Sequence, residues 1–576
     1  MKSILSCQTS RKNFAFLLVL VLESVLSIVL YLCGIFLPRN ILGELIAHDL
    51  NTAFIWVLIM VLSETIGQLI LSYIGLNKRL MQRSLNCVLN DKLIKSSFLC
   101  SYQSYENYEF RENFHLAQKC ITDSHISGAI TSIFSIGTNA ITILPLLWIV
   151  SSVTWWLWLV LVGSVIINGV CEWIRNKYVR SLFSETNQDD YHMLYARDVL
   201  PSKKFAKEIR LFHLYNYVSQ SLKRYIHDLA SLQNKQASKT FRLYMISYGY
   251  SFIQTVVILI YVLFQCTSGL LPIPDFMMAC LSIIGISELS VSLIKSVIQV
   301  REDFFYISHY CKMVEIDPKQ CIDQNLLEMN KANALCFQNV SFTYNGATKP
   351  AIDNLSVELT CGKTYGIVGK NGSGKSTFVN LLMKLYTPDK GKISFGKVDL
   401  NEISFAAWQA QVSAVLQDFH IYSFTVQDNI TFGQNENVDD LLHMLDIPYE
   451  ANQPIRSDFE EGGIELSGGE EQKLAMVRAI YKNAEFYIFD EPTSSLSATG
   501  EKRLYDVVKK QFIGKTVFFI SHRLASCTMC DDILLFDEGK IVERGTHQEL
   551  MAHKGQYYKM FRAQADQYKI DEMKEL

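Results

Sequence analysis

The chain is poor in charge: 19% of its 576 residues are Asp, Glu, Lys or Arg, and 54 basic against 57 acidic side chains leave a formal net charge of -3. No whole-molecule field exists to draw in DNA, RNA or an anionic surface, which excludes nucleic acid as a partner and makes any anion site a local one. The dense cysteine spacing of a secreted disulfide scaffold is also missing. The 14 cysteines are scattered from Cys7 to Cys530, several inside apolar runs, and read as reduced and structural. Cys527 and Cys530 form one CxxC with no second pair or histidines beside it, a weak basis for a metal or redox site. Long apolar runs are absent after residue 300.

Before residue 300 such runs dominate, and they carry much of the chain's 49% hydrophobic content. Crossing about 30 Å of hydrocarbon takes roughly 20 helical residues. Runs of about that length lie at about 14–37, 53–76, 126–150, 155–173, 244–268 and 276–298, giving six candidate spans. The first follows Lys2, Arg11 and Lys12, but its length and the lack of a small-residue cleavage pattern indicate a retained anchor. Lys78, Arg79, Arg83, Lys92 and Lys95 follow the second run, Arg175, Lys177 and Arg180 the fourth, and Arg301 the sixth. By the positive-inside rule these segments and the N-terminus are cytoplasmic. Arg39 alone lies between the first two spans, and Trp148, Trp155, Trp156 and Trp158 surround the third-to-fourth turn as an interfacial belt would. The long polar links after spans two and four are expected to continue the spans as cytoplasmic helices. Their lowest points, around Tyr102 to Phe114 and Lys207 to Tyr217, are placed to touch a soluble domain.

Past the boundary the text turns to short strand-like runs, glycine turns and amphipathic helices. Gly369-Lys370-Asn371-Gly372-Ser373-Gly374-Lys375-Ser376-Thr377 follows a strand-like Thr364 to Val368 and precedes an apolar helix. This is a P-loop in its required context: glycines let backbone amides turn inward, the helix N-terminus adds its dipole, Lys375 reaches the outer phosphates and Ser376 offers a hydroxyl to magnesium. Phe486 to Phe489, ending in Asp490 and Glu491, reads as a buried strand carrying two carboxylates, Asp490 for the magnesium shell and Glu491 for the attacking water. Between them, Leu466-Ser467-Gly468-Gly469-Glu470 places a glycine pair at the start of a helix, a second anion-binding terminus.

With that segment the sequence resembles ABC exporter half-transporters of the bacterial peptide and multidrug type, over nearly its whole length. The resemblance implies an all-α six-helix transmembrane domain with long cytoplasmic extensions over residues 1–318, followed by an α/β P-loop ATPase cassette over 319–576. It further implies that the signature segment of one cassette closes over ATP held by the P-loop of another, so that two copies form a homodimer. Tyr344 matches the aromatic that stacks on adenine, Gln417 the glutamine that meets magnesium and water, His522 the switch histidine, Glu461 the acidic coupling residue, and Lys207 to Phe212 the second coupling region. Glu470 stands where the family usually has Gln, and Ser497 where Asp is usual. ATP and magnesium are the implied cofactors, with the chain in the cytoplasmic inner membrane among lipid and both the N-terminus and the ATPase domain cytoplasmic.

Charged groups at membrane depth are costly unless they face a cavity or a partner. Glu23, Glu64 with Gln68 one turn on, and Glu288 with Lys295 two turns on are read equally as lining for a pathway or as bonding between helices. Without an N-terminal peptidase domain, a peptide cargo is expected to arrive already processed. Export of a small or macrocyclic peptide or a hydrophobic compound is the leading expectation, with a lipid flippase, an ATP-gated channel and an importer as alternatives.

Overall fold

The structure, a computed structural model, describes residues 10–153, 156–315, 333–434, 436–456, 462–493, 498–521 and 523–572. Trp155, Glu461, Ser497 and His522 lie outside them. The chain divides into two compact units, Met1–Phe98 with Tyr108–Ile316, and Leu99–Asn107 with Asp317–Leu576. The short segment 99–107 therefore belongs with the second unit, although the flanking chain belongs to the first.

The first unit is built from long helices: α1 (Ser10–Ile46), α2 (Leu50–Leu99), then, beyond the short α3 (Tyr102–Glu106), α4 (Tyr108–Thr122), α5 (His125–Val153), α6 (Leu157–Val199), α7 (Lys203–Leu211), α8 (Tyr215–Thr267) and α9 (Ile273–Val314). Among the described residues, segments long and apolar enough to cross a membrane lie in α1, α2, α5, α8 and α9, starting at Ala15, Leu50, His125, Tyr215 and Ile273. The expected span at 155–173 falls on α6, several of whose side chains are outside the description. As the polar periodicity indicated, α2 and α6 run on unbroken past their apolar stretches and α8 runs unbroken into its own. Outward-facing Phe54, Leu58, Leu62, Leu69 and Tyr73 on α2 are the apolar exterior that a hydrocarbon solvent favours. One buried cluster joins α1, α5, α8 and α9 through Ile35, Leu146, Ile258, Val262 and Ile283, and a second joins α2, α4, α5 and α9 through Leu93, Ala117, Ile126 and Tyr310. Arg39 at the foot of α1 ties to Asp275 at the start of α9 at 2.6 Å.

The second unit carries two sheets. Strands β1 (Ala334–Phe342), β2 (Ile352–Thr360), β4 (Lys390–Phe395) and β5 (Val398–Asp399) form an antiparallel sheet in the order β2-β1-β4-β5. Strands β3 (Thr364–Gly369), β6 (Val412–Val415), β7 (Phe486–Asp490), β8 (Thr516–Ile520), β9 (Asp532–Asp537) and β10 (Lys540–Gly545) form a sheet in the order β10-β9-β3-β8-β7-β6. It is parallel except for the β9-β10 pair. Strands β3, β7, β8 and β9 read as near-continuous apolar runs because both their faces are covered, whereas the edge strand β10 does not. Ile367, Phe486, Ile488, Phe518, Ile520, Leu534 and Phe536 enter one core, and the alternating Val368, Tyr487, Phe489, Val517, Phe519, Ile533 and Leu535 enter the other. Fixing strand direction and face in this way places the carboxyl ends of β3, β8 and β7 side by side, where open α/β sheets bind ligands.

Candidate nucleotide site

The P-loop follows β3 directly and leads into α10 (Lys375–Leu382), with Gly374 as its N-cap. Two of its glycines are required by geometry. Gly369 has φ +149° and a Cβ there would lie 2.3 Å from the Phe536 carbonyl; Gly374 has φ +103° and would meet the Ala351 carbonyl at 2.6 Å. A side chain at either position must displace backbone. Lys375 is buried at 5% exposure, and its Nζ donates to the Gly369 and Lys370 carbonyls at 2.9 and 2.8 Å. Burial pushes its ammonium below the usual lysine value, while Asp490 and Glu491 oppose that shift. Asn371, Gly372 and Ser376 are exposed at the mouth of the loop.

Strand β7 delivers Asp490 opposite Ile520 of β8, and β8 in turn neighbours β3, so the two carboxylates arrive one strand away from the P-loop. Burial first, then the neighbouring charges of Glu491 and Asp418, push Asp490 up to about 6 against the pull of Lys375. Glu491 sits at φ +49°, a left-handed backbone unusual for a branched-free but non-glycine residue, and is held there on three sides. Its N–H donates to the Ile520 carbonyl at 2.9 Å, its carbonyl accepts from Gln472 Nε2 at 3.1 Å, and its Oε2 accepts from Gln417 Nε2 at 3.2 Å.

The cradle's chemistry fits a polyphosphate. Ser373 Oγ is buried with no hydrogen-bond partner, an orphaned donor facing the loop that a phosphate oxygen would satisfy. Lys375 spends two of its three N–H groups on the loop. Among the described residues no group of three or more His, Cys, Asp or Glu could hold a metal ion. Asp490, Ser376 and Gln417 are hard oxygen donors of the kind magnesium takes together with substrate phosphates and water. Tyr344 donates or accepts at 3.2 Å with Thr377 Oγ1, linking the candidate base-stacking ring to the P-loop helix.

The signature segment starts α11 (Gly468–Tyr481), and Ser467 is its N-cap. Glu470 accepts from the Ser467 N–H at 2.8 Å and from the Ser467 hydroxyl at 2.7 Å, closing a capping box, while its other oxygen accepts from Tyr449 Oη at 2.9 Å. The Ser467 amide in particular holds the Glu470 carboxyl below the usual range. The departure from Gln thus has a local structural role. Ser467 and Gly468 remain exposed, as a segment that meets another molecule requires.

Sequence reasoning missed Gln472, Tyr449 and Asp418, each of which acts through a partner distant in sequence. Cys527 and Cys530 lie buried beneath β3, packed near Gly366. In the helical unit, Glu23 pairs with Lys78 at 2.9 Å and Gln68 donates to Glu64 at 3.0 Å, whereas Glu288 and Lys295 are both exposed. The tip of α7 leaves Leu211 and Phe212 exposed.

Residues 352–494 match the family described as ABC transporter. Over 374 residues the chain is 29% identical to the subtilin transport ATP-binding protein SpaT of Bacillus subtilis, covering 62% of this chain and 60% of that one. Over 260 residues it is 32% identical to the ATP-dependent lipid A-core flippase of Vibrio vulnificus (strain CMCP6), covering 44% of each. The matched segments thus span less than two thirds of these curated relatives. Its fold superposes on the structure of a bacterial Atm1-family ABC exporter with ATP bound, with a TM-score of 0.80 at 19% identity over 97% of this chain and 99% of the other.

Proposed function

We propose that this membrane protein, whose cassette belongs to the ABC transporter family and whose whole length has the ABC exporter fold, hydrolyses ATP to move a cargo out across the cytoplasmic membrane. The observation that carries this reading is the convergence of Lys375, Asp490 and Glu491 at the carboxyl ends of β3 and β7, the two strands flanking β8, with Gln417 bonded to Glu491. Tyr344 stacks on the adenine. The P-loop amides from Gly369 to Thr377, with Ser373 and Lys375, bind the phosphates. Ser376, Gln417 and Asp490 would hold magnesium, which when bound neutralises phosphate charge. Glu491 orients the attacking water and accepts its proton, and His522 contacts the terminal phosphate.

Two identical chains complete the machine. Ser467, Gly468, Gly469 and Glu470 of one copy cover the phosphates held by the other, giving two competent sites. Closure of the cassettes drives the helices from an inward-facing to an outward-facing arrangement. Purified Glu491→Gln protein is expected to bind ATP but lose hydrolysis by about 10²–10⁴-fold. Undiminished turnover in that variant would overturn the assignment of the base.

The cargo is a small or macrocyclic peptide or a hydrophobic compound, a reading supported by similarity to a subtilin transport protein. Similarity to lipid A-core flippases supports a lipid or lipid-linked cargo as the second reading. Inside-out vesicles separate the classes. Net ATP-dependent uptake of peptide or of labelled lipid identifies a pump and its cargo, downhill flux identifies a channel, and movement in the opposite sense an importer.

A further inference from the structure

Helices α6 and α9 approach where Gly169 faces Ile294, a Cβ on that glycine lying 4.0 Å from Ile294 Cδ1. From that contact toward the basic ends of both helices, a cavity of about 560 Å³ lies between them. Its lining changes character over the eight residues from Gly169 to Lys177, about 12 Å of helix. Leu293, Val297 and Ile298 make an apolar upper wall, and Trp173, Asn176, Lys177 and Arg301 line the other end. Residues 173 and 298 are where the expected fourth and sixth spans end, so the cavity straddles the level at which hydrocarbon gives way to headgroups, the level that tryptophan favours.

The charge in the cavity is uncompensated. Arg175, the other cation of this stretch, is engaged elsewhere: its Nε lies 2.6 Å from Glu172 Oε2 and its guanidinium 5.6 Å from the centre of the Tyr244 ring. Among the described residues no carboxylate pairs with Lys177 or Arg301, and Lys177 Nζ stands 5.5 Å from the centre of the Trp173 ring. Asn176, at 7% exposure, adds a buried amide to the same end. A small inorganic anion would satisfy the cations and leave the apolar wall unfilled, and a neutral apolar molecule would do the reverse. An amphipathic anion satisfies both, and basic pockets between spans at the cytoplasmic face suit lipid headgroups.

We propose that this cavity binds an anionic phospholipid of the cytoplasmic leaflet as a resident component of the protein, not as its cargo. Lys177 and Arg301 hold the phosphate, the Asn176 amide donates to it, and Leu293 and Val297 receive the first carbons of an acyl chain whose remainder continues into the bilayer. The inference uses the reading of these helix ends as cytoplasmic and is independent of what the protein exports.

The test is native mass spectrometry of the full-length protein in detergent, titrated with phosphatidylglycerol and with phosphatidylcholine of the same chains. Phosphatidylglycerol is expected to be retained at one per chain, with about 30-fold preference over phosphatidylcholine from two cations. Lys177→Gln with Arg301→Gln should erase that preference while MgATP affinity stays within about twofold. Arg79→Gln with Arg83→Gln, an exposed basic pair on α2 away from the cavity, should keep it. Val297→Trp leaves every charge in place and fills the apolar wall, and should weaken retention by about tenfold. Preference that survives the Lys177 and Arg301 changes, or that falls equally with the α2 pair, overturns the site. Displacement of the lipid by equimolar glycerol 1-phosphate overturns it in favour of a free-anion site. ATP-driven movement of labelled phosphatidylglycerol across proteoliposomes that the Lys177 and Arg301 changes abolish overturns residency and makes the cavity part of a cargo path.

Discussion

Replacing Asp490 by Asn tests the electrostatics of the site most directly. Asp490 ends an apolar strand, half sunk between two cores, with Glu491 and Asp418 adding like charge and Lys375 opposing them. Raising this carboxyl from its ordinary 3.8 to about 6 means that ionising it in the folded cassette costs about 3 kcal/mol more than in the unfolded chain. The sign follows from proton binding. Between these two values the folded state holds the proton more tightly, so the protonated group favours folding below about pH 4, and that contribution is lost as pH rises through 6. Asn keeps the shape and carries no charge. In nucleotide-free, magnesium-free full-length protein, Asp490→Asn should therefore raise cassette stability at pH 7.5 by up to about 3 kcal/mol, with the gain shrinking to about 1 kcal/mol by pH 4.5. Thermal unfolding followed across pH 4.5–7.5 reads this difference. Magnesium reverses the advantage, because only the ionised wild-type group is a good ligand. MgATP affinity of the wild type should fall by up to about tenfold per pH unit below 6, beyond any fall seen in Asp490→Asn. An Asn variant that is no more stable at pH 7.5, or whose difference is flat with pH, would refute the account of Asp490 as a charge held against its environment.

Other expectations follow from single contacts. Gly369→Ala places a methyl 2.3 Å from the Phe536 carbonyl at φ +149°, so ATP binding by filter assay should disappear, with cassette stability lowered by about 2 kcal/mol or more. Glu470→Ala removes the capping box and should cost about 1 kcal/mol in cassette stability by denaturant unfolding. Glu470→Gln keeps an acceptor for the Ser467 amide and should stay within about 0.5 kcal/mol of the wild type.

Much of the nucleotide site is legible because its parts are local. A glycine pattern with a strand before it and a helix after it specifies the P-loop from nine neighbouring residues, and the apolar run ending in Asp490 and Glu491 specifies β7 in the same way. The long helices were legible for a similar reason, since polar periodicity continued from each span with no breaker between. Gln472, Tyr449 and Tyr386 were not, because their partners Glu491, Glu470 and Glu106 lie 19, 21 and 280 residues away. Those meetings depend on strand order and on where a loop lands, neither of which periodicity carries. The left-handed backbone of Glu491 was equally hidden: no residue type there announces it, and only the surrounding hydrogen bonds impose it.

The placement of residues 99–107 with the cassette also bears on how the protein is made. Those residues leave the ribosome before most of the helical unit, and 280 residues separate Glu106 from its partner Tyr386 in the cassette. At roughly 5–20 residues per second they wait on the order of half a minute for their binding surface. During that interval Tyr102 and Glu106 have no Tyr386 to meet, and a cassette produced alone would in turn leave the Tyr386 hydroxyl without its acceptor. The physical unit that folds is therefore discontinuous, and a cut at the cassette's apparent start would separate a domain from a piece of itself.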